Sequence, residues 1–509
     1  MEQQFNKGGI ETSYKMTKKP TKGGVVQSHT GRSVNLMKNR RNRTRHLVLL
    51  FLVAFIMLSP QVRENLFEKW APGIQEYWLG TFADSHLYPN EATFTIARSI
   101  AVQNSNSNGW VNEDIVIPSD VESLHNSAND FLFTDGEMPS PTDNIQKVDS
   151  VNVHFSDGAM CGDSPCNHET FSIPIDGTRL SYENRINSTK GHSIWWPGYG
   201  GDNHSCQVGN CVKMMFDLQP GEAVVYVFEV TITSTSYSWW DASRVDSRVA
   251  GTDEGINVDN SGTFSDVENR GDGQKFRDFT NPKWYDRGIR YDKGTGLNVD
   301  NGYAINSQEA IVIETAEQIS SSLPEGLRDN AYAFSRAAFD YLHKNVEYDK
   351  FAPVIARSGP QCLADDLGDC DEQTNAFLSL LRVKGLPGWY VFGALADSEY
   401  KNWEGHAWGY ILLPMSDSWC NDRNIKLDSC YVEASVDVVN NKWLLHTPNA
   451  YISWIEEPDA TGTLLNNYYS PATVSSSQVL RIQPVYTTFG EVDTNGGLFQ
   501  VKILEENLR

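Results

Sequence analysis

The sequence predicts an α+β fold for the C-terminal part of the chain, preceded by a mostly-β, sandwich-like ectodomain and an N-terminal membrane anchor. Three observations predict it. A helix-periodic run follows Cys370, and three strands rich in aromatic and apolar residues come after it. From about 88 to 320, short apolar runs alternate with clusters of Ser, Asn, Asp and Gly, the rhythm of strands and turns. Near the start, Leu47–Leu58 is an unbroken apolar stretch behind Arg40, Arg41, Arg43 and Arg45. At 509 residues the chain is too long for one core.

Residues 1–46 are Gly-rich and polar, with eleven Lys/Arg against two acids, and they lack apolar periodicity; a disordered basic tail is expected. Residues 47–62 are read as a single-pass signal anchor. The stretch is about 16 residues, short of the roughly 20 that a spanning helix usually needs. A cleaved signal peptide is the alternative, but the long basic tail and the lack of a small-x-small cleavage site disfavour it. The positive-inside rule then leaves the tail in the cytoplasm and everything after about residue 63 outside. A juxtamembrane stalk is expected over 63–87, a mostly-β extracytoplasmic domain over 88–320 and the α+β domain over 321–509. In the middle domain, Glu222–Thr233 and Ala310–Thr315 read as strands.

Taking the nine net positive charges of the tail from the formal −23 leaves about −32 on the rest. That excludes nucleic acid as an expected partner. Eight cysteines suit an exported, disulfide-bonded protein. Cys161, Cys166, Cys206 and Cys211 form two close sets whose pairing spacing does not decide, and Cys420 with Cys430 flanks a polar loop. Zinc on the first four cysteines, with His168 and His204, is the competing reading. Cys362 is left over; it lies eight residues before Cys370, and a disulfide between the two would silence the latter.

Asn257, Asp259, Ser261, Gly262 and Glu268 fit positions one, three, five, six and twelve of a calcium loop. Asn replaces the usual Asp at position one, and flanking helices are not evident. The competing reading is an Asn/Asp/Gly-rich turn. No other cofactor is expected.

Cys370 carries the chemistry. Phe377, Leu380 and Leu381 fall at helical spacing, and Gly385 with Pro387 ends the run. Asp369 is a candidate N-cap, and Glu372, three residues on, would complete a capping box. Cys370 would then sit in the first turn, where free N–H groups and the helix dipole favour a thiolate. His406 opens a strand running to Leu413, after an earlier strand at Trp389–Gly393. Cys430–Val438 forms another, with Glu433, Ser435 and Asp437 on one face. Thiol, imidazole and carboxylate in this order are the parts of an acyl-transfer site. The acid is assigned to Glu433, with Asp437 as the alternative.

Gly-Asp-Cys-Asp-Glu-Gln at 368–373, the apolar helix ending at Gly385-Leu386-Pro387, the aromatic strand and Gly-His-Ala-Trp at 405–408 resemble the core of the transglutaminase-like superfamily. The upstream segment, Arg328 to His343, is similar to the helix preceding the family's cysteine. The resemblance spans roughly 325–450. It implies a papain-like Cys-His-acid triad and a protein or peptide substrate. The family's third member is usually an Asp followed by Pro-Thr, whereas Glu433-Ala434-Ser435 stands in the matching stretch. The expected function is a membrane-anchored, extracytoplasmic thiol enzyme, either hydrolase or cross-linking acyltransferase. A catalytically silent surface adhesion protein is the alternative.

Overall fold

The computed structural model of the chain describes residues 85–104, 109–122, 144–156, 160–161, 164–165, 168–200, 202–206, 210–239, 256–270, 287–291, 298–352, 357–455 and 479–502. The basic tail, the apolar segment 47–62 and most of the stalk lie outside them. Among the described residues, no helix is long and apolar enough to cross a membrane.

The first half of the chain is strand after strand. The elements are β1 (Ser85–Asn104), β2 (Gly109–Val116), β3 (Val121–Glu122), β4 (Asn144–Ser156), β5 (Glu169–Ile173), β6 (Ile186–Asn187), β7 (Ser193–Trp195), β8 (Cys211–Leu218), β9 (Ala223–Thr235) and β10 (Tyr237–Ser238). Alternation decides their faces. On β9, Val224, Tyr226, Phe228, Val230 and Ile232 all point into the core. They meet Val212, Met214 and Phe216 of β8, and the rings of Phe155, Phe216 and Tyr226 lie 5.4–5.8 Å apart. Two sheets therefore face each other across one apolar layer, the sandwich expected from the turn rhythm. A disulfide joins Cys206 to Cys211, with Cα atoms 5.6 Å apart. The zinc alternative thus loses two of its thiolates.

The second half holds α1 (Phe264–Asn269), α2 (Ala310–Ser322), α3 (Ala331–Asn345), β11 (Glu347–Tyr348), α4 (Gly359–Asp365), β12 (Leu367–Gly368), α5 (Cys370–Val383), β13 (Gly388–Ala396), β14 (Trp403–Pro414), α6 (Asp417–Asp422), β15 (Tyr431–Val436), β16 (Leu445–His446), β17 (Ala450–Ile455) and β18 (Val479–Lys502). Its antiparallel sheet has the order β15-β14-β13-β17. Helix α5 lies on that sheet through Leu378. A Cβ on Gly388 would stand 2.6 Å from Leu378 Cδ2, so the bare backbone admits the helix.

Ala310–Thr315 is a helix, not the expected strand. A short apolar run such as Ala310–Ile313 does not distinguish the two by itself. Extended to 322, it buries Val312, Thr315, Ala316 and Ile319, which is helical spacing. Val312, Ala316 and Ile319, with Ile256 and Val267, join the core cluster of α5, so the packing does not follow a boundary at 320.

The last strand, β18, lies outside the β15-β14-β13-β17 sheet and pairs with β1, from Ser85↔Lys502 to Asn104↔Val479. The larger sandwich sheet is therefore β18-β1-β9-β4-β3, with β5 beside β4, and β2-β8-β7-β6 forms the smaller.

The two halves share surface. Phe94 of β1 meets Tyr400 and Trp403 at ring centroid distances of 5.5 and 5.0 Å. Buried Gln146 exchanges two hydrogen bonds with the backbone of Ile452, at 2.9 and 2.8 Å. Tyr237↔His446 pairs β10 with β16. A disulfide links Cys420 and Cys430 across the loop between β14 and β15, as the sequence suggested.

Candidate active site

The site begins with the start of α5. Asp369 has extended backbone angles, and its carboxylate accepts a hydrogen bond from the N–H of Glu372, while the Glu372 carboxylate accepts from the N–H of Asp369 at 3.0 Å. The capping box is formed as the sequence predicts. Cys370 is thus the first helical residue, and it is half-buried.

Glu372 does more than cap. Its side chain is fully buried and accepts from the N–H of Arg357 at 2.6 Å and from Arg357 Nη1 at 3.0 Å. Arg357 also pairs with Asp349 at 2.9 Å and Asp365 at 3.3 Å. Asp349 N–H in turn donates to the carbonyl of Gly368. One cation therefore ties the turn ahead of Cys370 to the segments on either side of α4. Arg357 carries no signal in the linear pattern, because its partners meet it only in the folded chain.

Thr374, one turn beyond Cys370, anchors the same turn to the sheet. Its hydroxyl lies 2.8 Å from the Cys370 carbonyl and 3.5 Å from that of Ala407, the residue after His406. His406 sits on β14 opposite Gly393, and the ring of Trp408 stacks over it at 5.8 Å. A Cβ on Gly393 would fall 1.8 Å from the carbonyl oxygen of Tyr451, so only glycine lets β17 close beside the histidine.

The carboxylate behind His406 is Asp437. His406 Nε2 and Asp437 Oδ2 are 2.9 Å apart. Asn440 Nδ2 donates to the same oxygen at 2.8 Å and lies 3.1 Å from His406 Nε2. The assignment to Glu433 is corrected by the register of β14 against β15. Glu433 stands opposite Leu412, six residues from His406, or roughly 20 Å along an antiparallel strand. The same ladder, extended past Ser435↔Tyr410, brings Asp437 level with Trp408, a diagonal that side chains can cross. Glu433 shares the face but not the level.

Burial alone would raise the Asp437 carboxyl. The charge and hydrogen bond of His406, the Lys442 ammonium and the Asn440 amide outweigh it and bring the carboxyl from 3.8 down to about 2. The ionised carboxylate makes Nε2–H the donor and leaves Nδ1 as the nitrogen free for a thiol proton. A depressed carboxylate contributes stability above its unfolded value that disappears as pH falls through the folded one. The stability gap between the wild type and Asp437→Asn should accordingly narrow by on the order of 2 kcal/mol between pH 5 and pH 2. Urea midpoints at the two pH values measure it, and a constant gap would contradict the ionised pair.

Cys362 and Cys370 are both free thiols, so the silencing disulfide is not formed. Cys362 is buried, and a Cβ on Gly368 would stand 2.7 Å from its sulfur. Burial, and then the Glu372 charge, push its thiol well up, which leaves it inert. Tyr348, near Cys370, is 47% exposed and paired to Gly368 by a short parallel ladder. Burial, followed by the negative charges of Cys370, Asp369, Glu404 and Asp371, pushes its phenol up to about 12.

The candidate calcium loop is a turn and a helix cap. Asn257 Oδ1 accepts from the N–H groups of Asp259 and Asn260, and Ser261 Oγ donates to the Gly262 carbonyl. Thr263 caps α1, the helix that includes Glu268. The segment straps the catalytic sheet: Gly262 N–H donates to Pro414, and Arg270 donates to the carbonyls of Met415 and Cys430. Among the described residues, no group of three His, Cys, Asp or Glu side chains is arranged to hold a metal ion.

Residues 317–421 match the family model described as the transglutaminase-like superfamily. A search of curated proteins finds no match. Among solved structures, one titled "Putative Cysteine Protease from Cytophaga hutchinsonii" aligns over 77% of this chain and all of its own, at 11% identity and a TM-score of 0.32. A superposition that loose carries no argument. The family match spans Cys370 and His406 and ends ahead of Asp437. It supports a thiol enzyme as the functional kind, and residues 317–421 carry a transglutaminase-like core.

Proposed function

We propose that the chain is a thiol acyl-transfer enzyme acting on peptide or glutamine amide carbonyls. Cys370 attacks the carbonyl, and His406 takes the thiol proton through Nδ1 and returns it to the departing amine. Asp437 orients the ring. The backbone N–H of Cys370, in the first turn of α5, is the group we assign to help stabilise the oxyanion. The observation that carries this reading is the His406–Asp437 pair, 2.9 Å apart, on the strand packed against the first turn of Cys370.

Water completes the reaction as hydrolysis, and a lysine amine completes it as cross-linking. Hydrolysis is favoured, because a transferase must also exclude water and present an amine site. The disulfides Cys206–Cys211 and Cys420–Cys430 support a location outside the cytoplasm, with residues 47–62 as the anchor. With Asp437 behind the histidine and Cys370 outside any disulfide, the silent adhesion reading has no specific observation in its favour.

Iodoacetamide at pH 6 should modify Cys370 at least about tenfold faster than an ordinary free thiol. Reaction at the ordinary rate would remove the basis for catalysis. Incubation with a glutamine-containing protein and a fluorescent primary amine separates the two outcomes. New termini without incorporated amine mean hydrolysis; incorporated fluorescence means transfer.

A further inference from the structure

Behind Asp437 lies a lysine that packing does not explain. Lys442 is only 7% exposed. Its backbone N–H and carbonyl exchange two 2.9 Å hydrogen bonds with those of Asp437, closing the turn that contains Asn440. Its Nζ donates to Thr447 Oγ1 at 2.8 Å, and Thr447 donates onward to Asn449 Oδ1 at 2.7 Å. The Tyr88 ring, on β1 of the sandwich, covers the ammonium at 5.8 Å. The side chain is thereby held in place, and its charge cannot swing out to water.

Burying an ammonium costs several kcal/mol unless something opposite in sign compensates, and an apolar side chain of the same length would pack without that cost. Three titratable groups face it. Tyr88 is a phenol pushed up to about 12 by burial and then by Asp437, so it is neutral. His446, on β16, is brought down to about 3 by burial and then by Lys442, so it is neutral too; its Nε2 bonds Ser234 of β9 at 3.0 Å. Asp437 is the remaining one, and it supplies the charge that opposes the burial of Lys442.

We propose that Lys442 is a positioning residue for the Cys370–His406–Asp437 site, a fixed buried cation that keeps the Asp437 carboxylate ionised and aimed at His406. It touches no reacting atom. It acts on the acid, which acts on the imidazole. The proposal rests on the acyl-transfer reading above. It also gives the sandwich a catalytic part, because Tyr88 and Ser234 form the wall that encloses the lysine and its neighbour His446.

The test uses the full-length chain and the pH dependence of Cys370 alkylation by iodoacetamide, read by peptide mass mapping. Without the cation, Asp437 takes up its proton at higher pH, and His406 loses its acceptor there. Lys442→Met should move the acid limb of the alkylation profile upward by about one pH unit, the size of a charge felt across a few ångströms of protein. Lys442→Arg, which keeps the charge, should stay near the wild-type limb. A purely structural lysine predicts altered melting with an unmoved limb, and a Lys442→Met limb coinciding with the wild type overturns the proposal. If Lys442→Met does not fold, Lys442→Gln takes its place under the same criteria. Failure of the wild type itself to alkylate rapidly at low pH would sink the acyl-transfer reading instead, so the two failures are distinguishable.

Discussion

Replacing Asp437 by Asn is expected to lower turnover by about 10³–10⁴-fold, the order lost when a triad acid can no longer fix its histidine. Asn at this position keeps the shape but not the charge. It can present its amide N–H to Nε2, which would favour the wrong tautomer and leave Nδ1 protonated where the thiol proton must arrive. Glu433→Gln should leave turnover per folded molecule within about threefold, because the carboxylate lies too far along β15 to reach the ring. Hydrolysis of a glutamine-containing protein, normalised to native protein by circular dichroism, compares the two. A loss at Glu433→Gln as large as at Asp437→Asn would mean that the register argument is wrong.

The second large effect is on the frame of the nucleophile. Arg357→Met should destabilise the protein by about 3–5 kcal/mol, because it leaves the Glu372 carboxylate buried without its cation. The capping box would compete for what remains, since one Glu372 oxygen serves both Asp369 N–H and Arg357 Nη1. The first turn of α5 should loosen before the rest of the domain, with amide exchange at 369–373 rising ahead of global unfolding. Arg357→Met combined with Glu372→Gln should recover part of the loss, because the uncompensated charge is gone. A single variant as stable as the wild type would show that the pair is not a structural tie.

The start of α5 was legible because its determinants are local. Asp369, Cys370 and Glu372 lie within four residues, and cap chemistry acts at that range. The strand around His406 was legible for the same reason. The acid was not. Period-2 alternation placed Glu433 and Asp437 on one face, and only the pairing of β15 with β14 fixes which one meets the histidine. The Ala310–Thr315 run is ambiguous in principle, since a short apolar run serves a strand or a buried helix equally. The Asn257–Glu268 match shows a motif's residues already engaged in turn and cap bonds. Arg357, Asn440 and Lys442 escaped notice because each is defined by partners brought near only by folding.

The pairing of β18 with β1 has one more consequence. The transglutaminase-like core is threaded between β9 and β18, two strands of the same sandwich sheet, so it is a guest held by its host at both ends. A fragment starting at residue 321 would carry a 24-residue strand with no partner and an open edge, a template for aggregation. It would also leave behind Tyr88 and Ser234, which wall in Lys442 and His446, and Gln146, which holds β17. Conversely, a single cut in a loop of the core would not release it, since the strand on each side of the insertion stays hydrogen-bonded to the sandwich. The minimal active unit is therefore host and guest together.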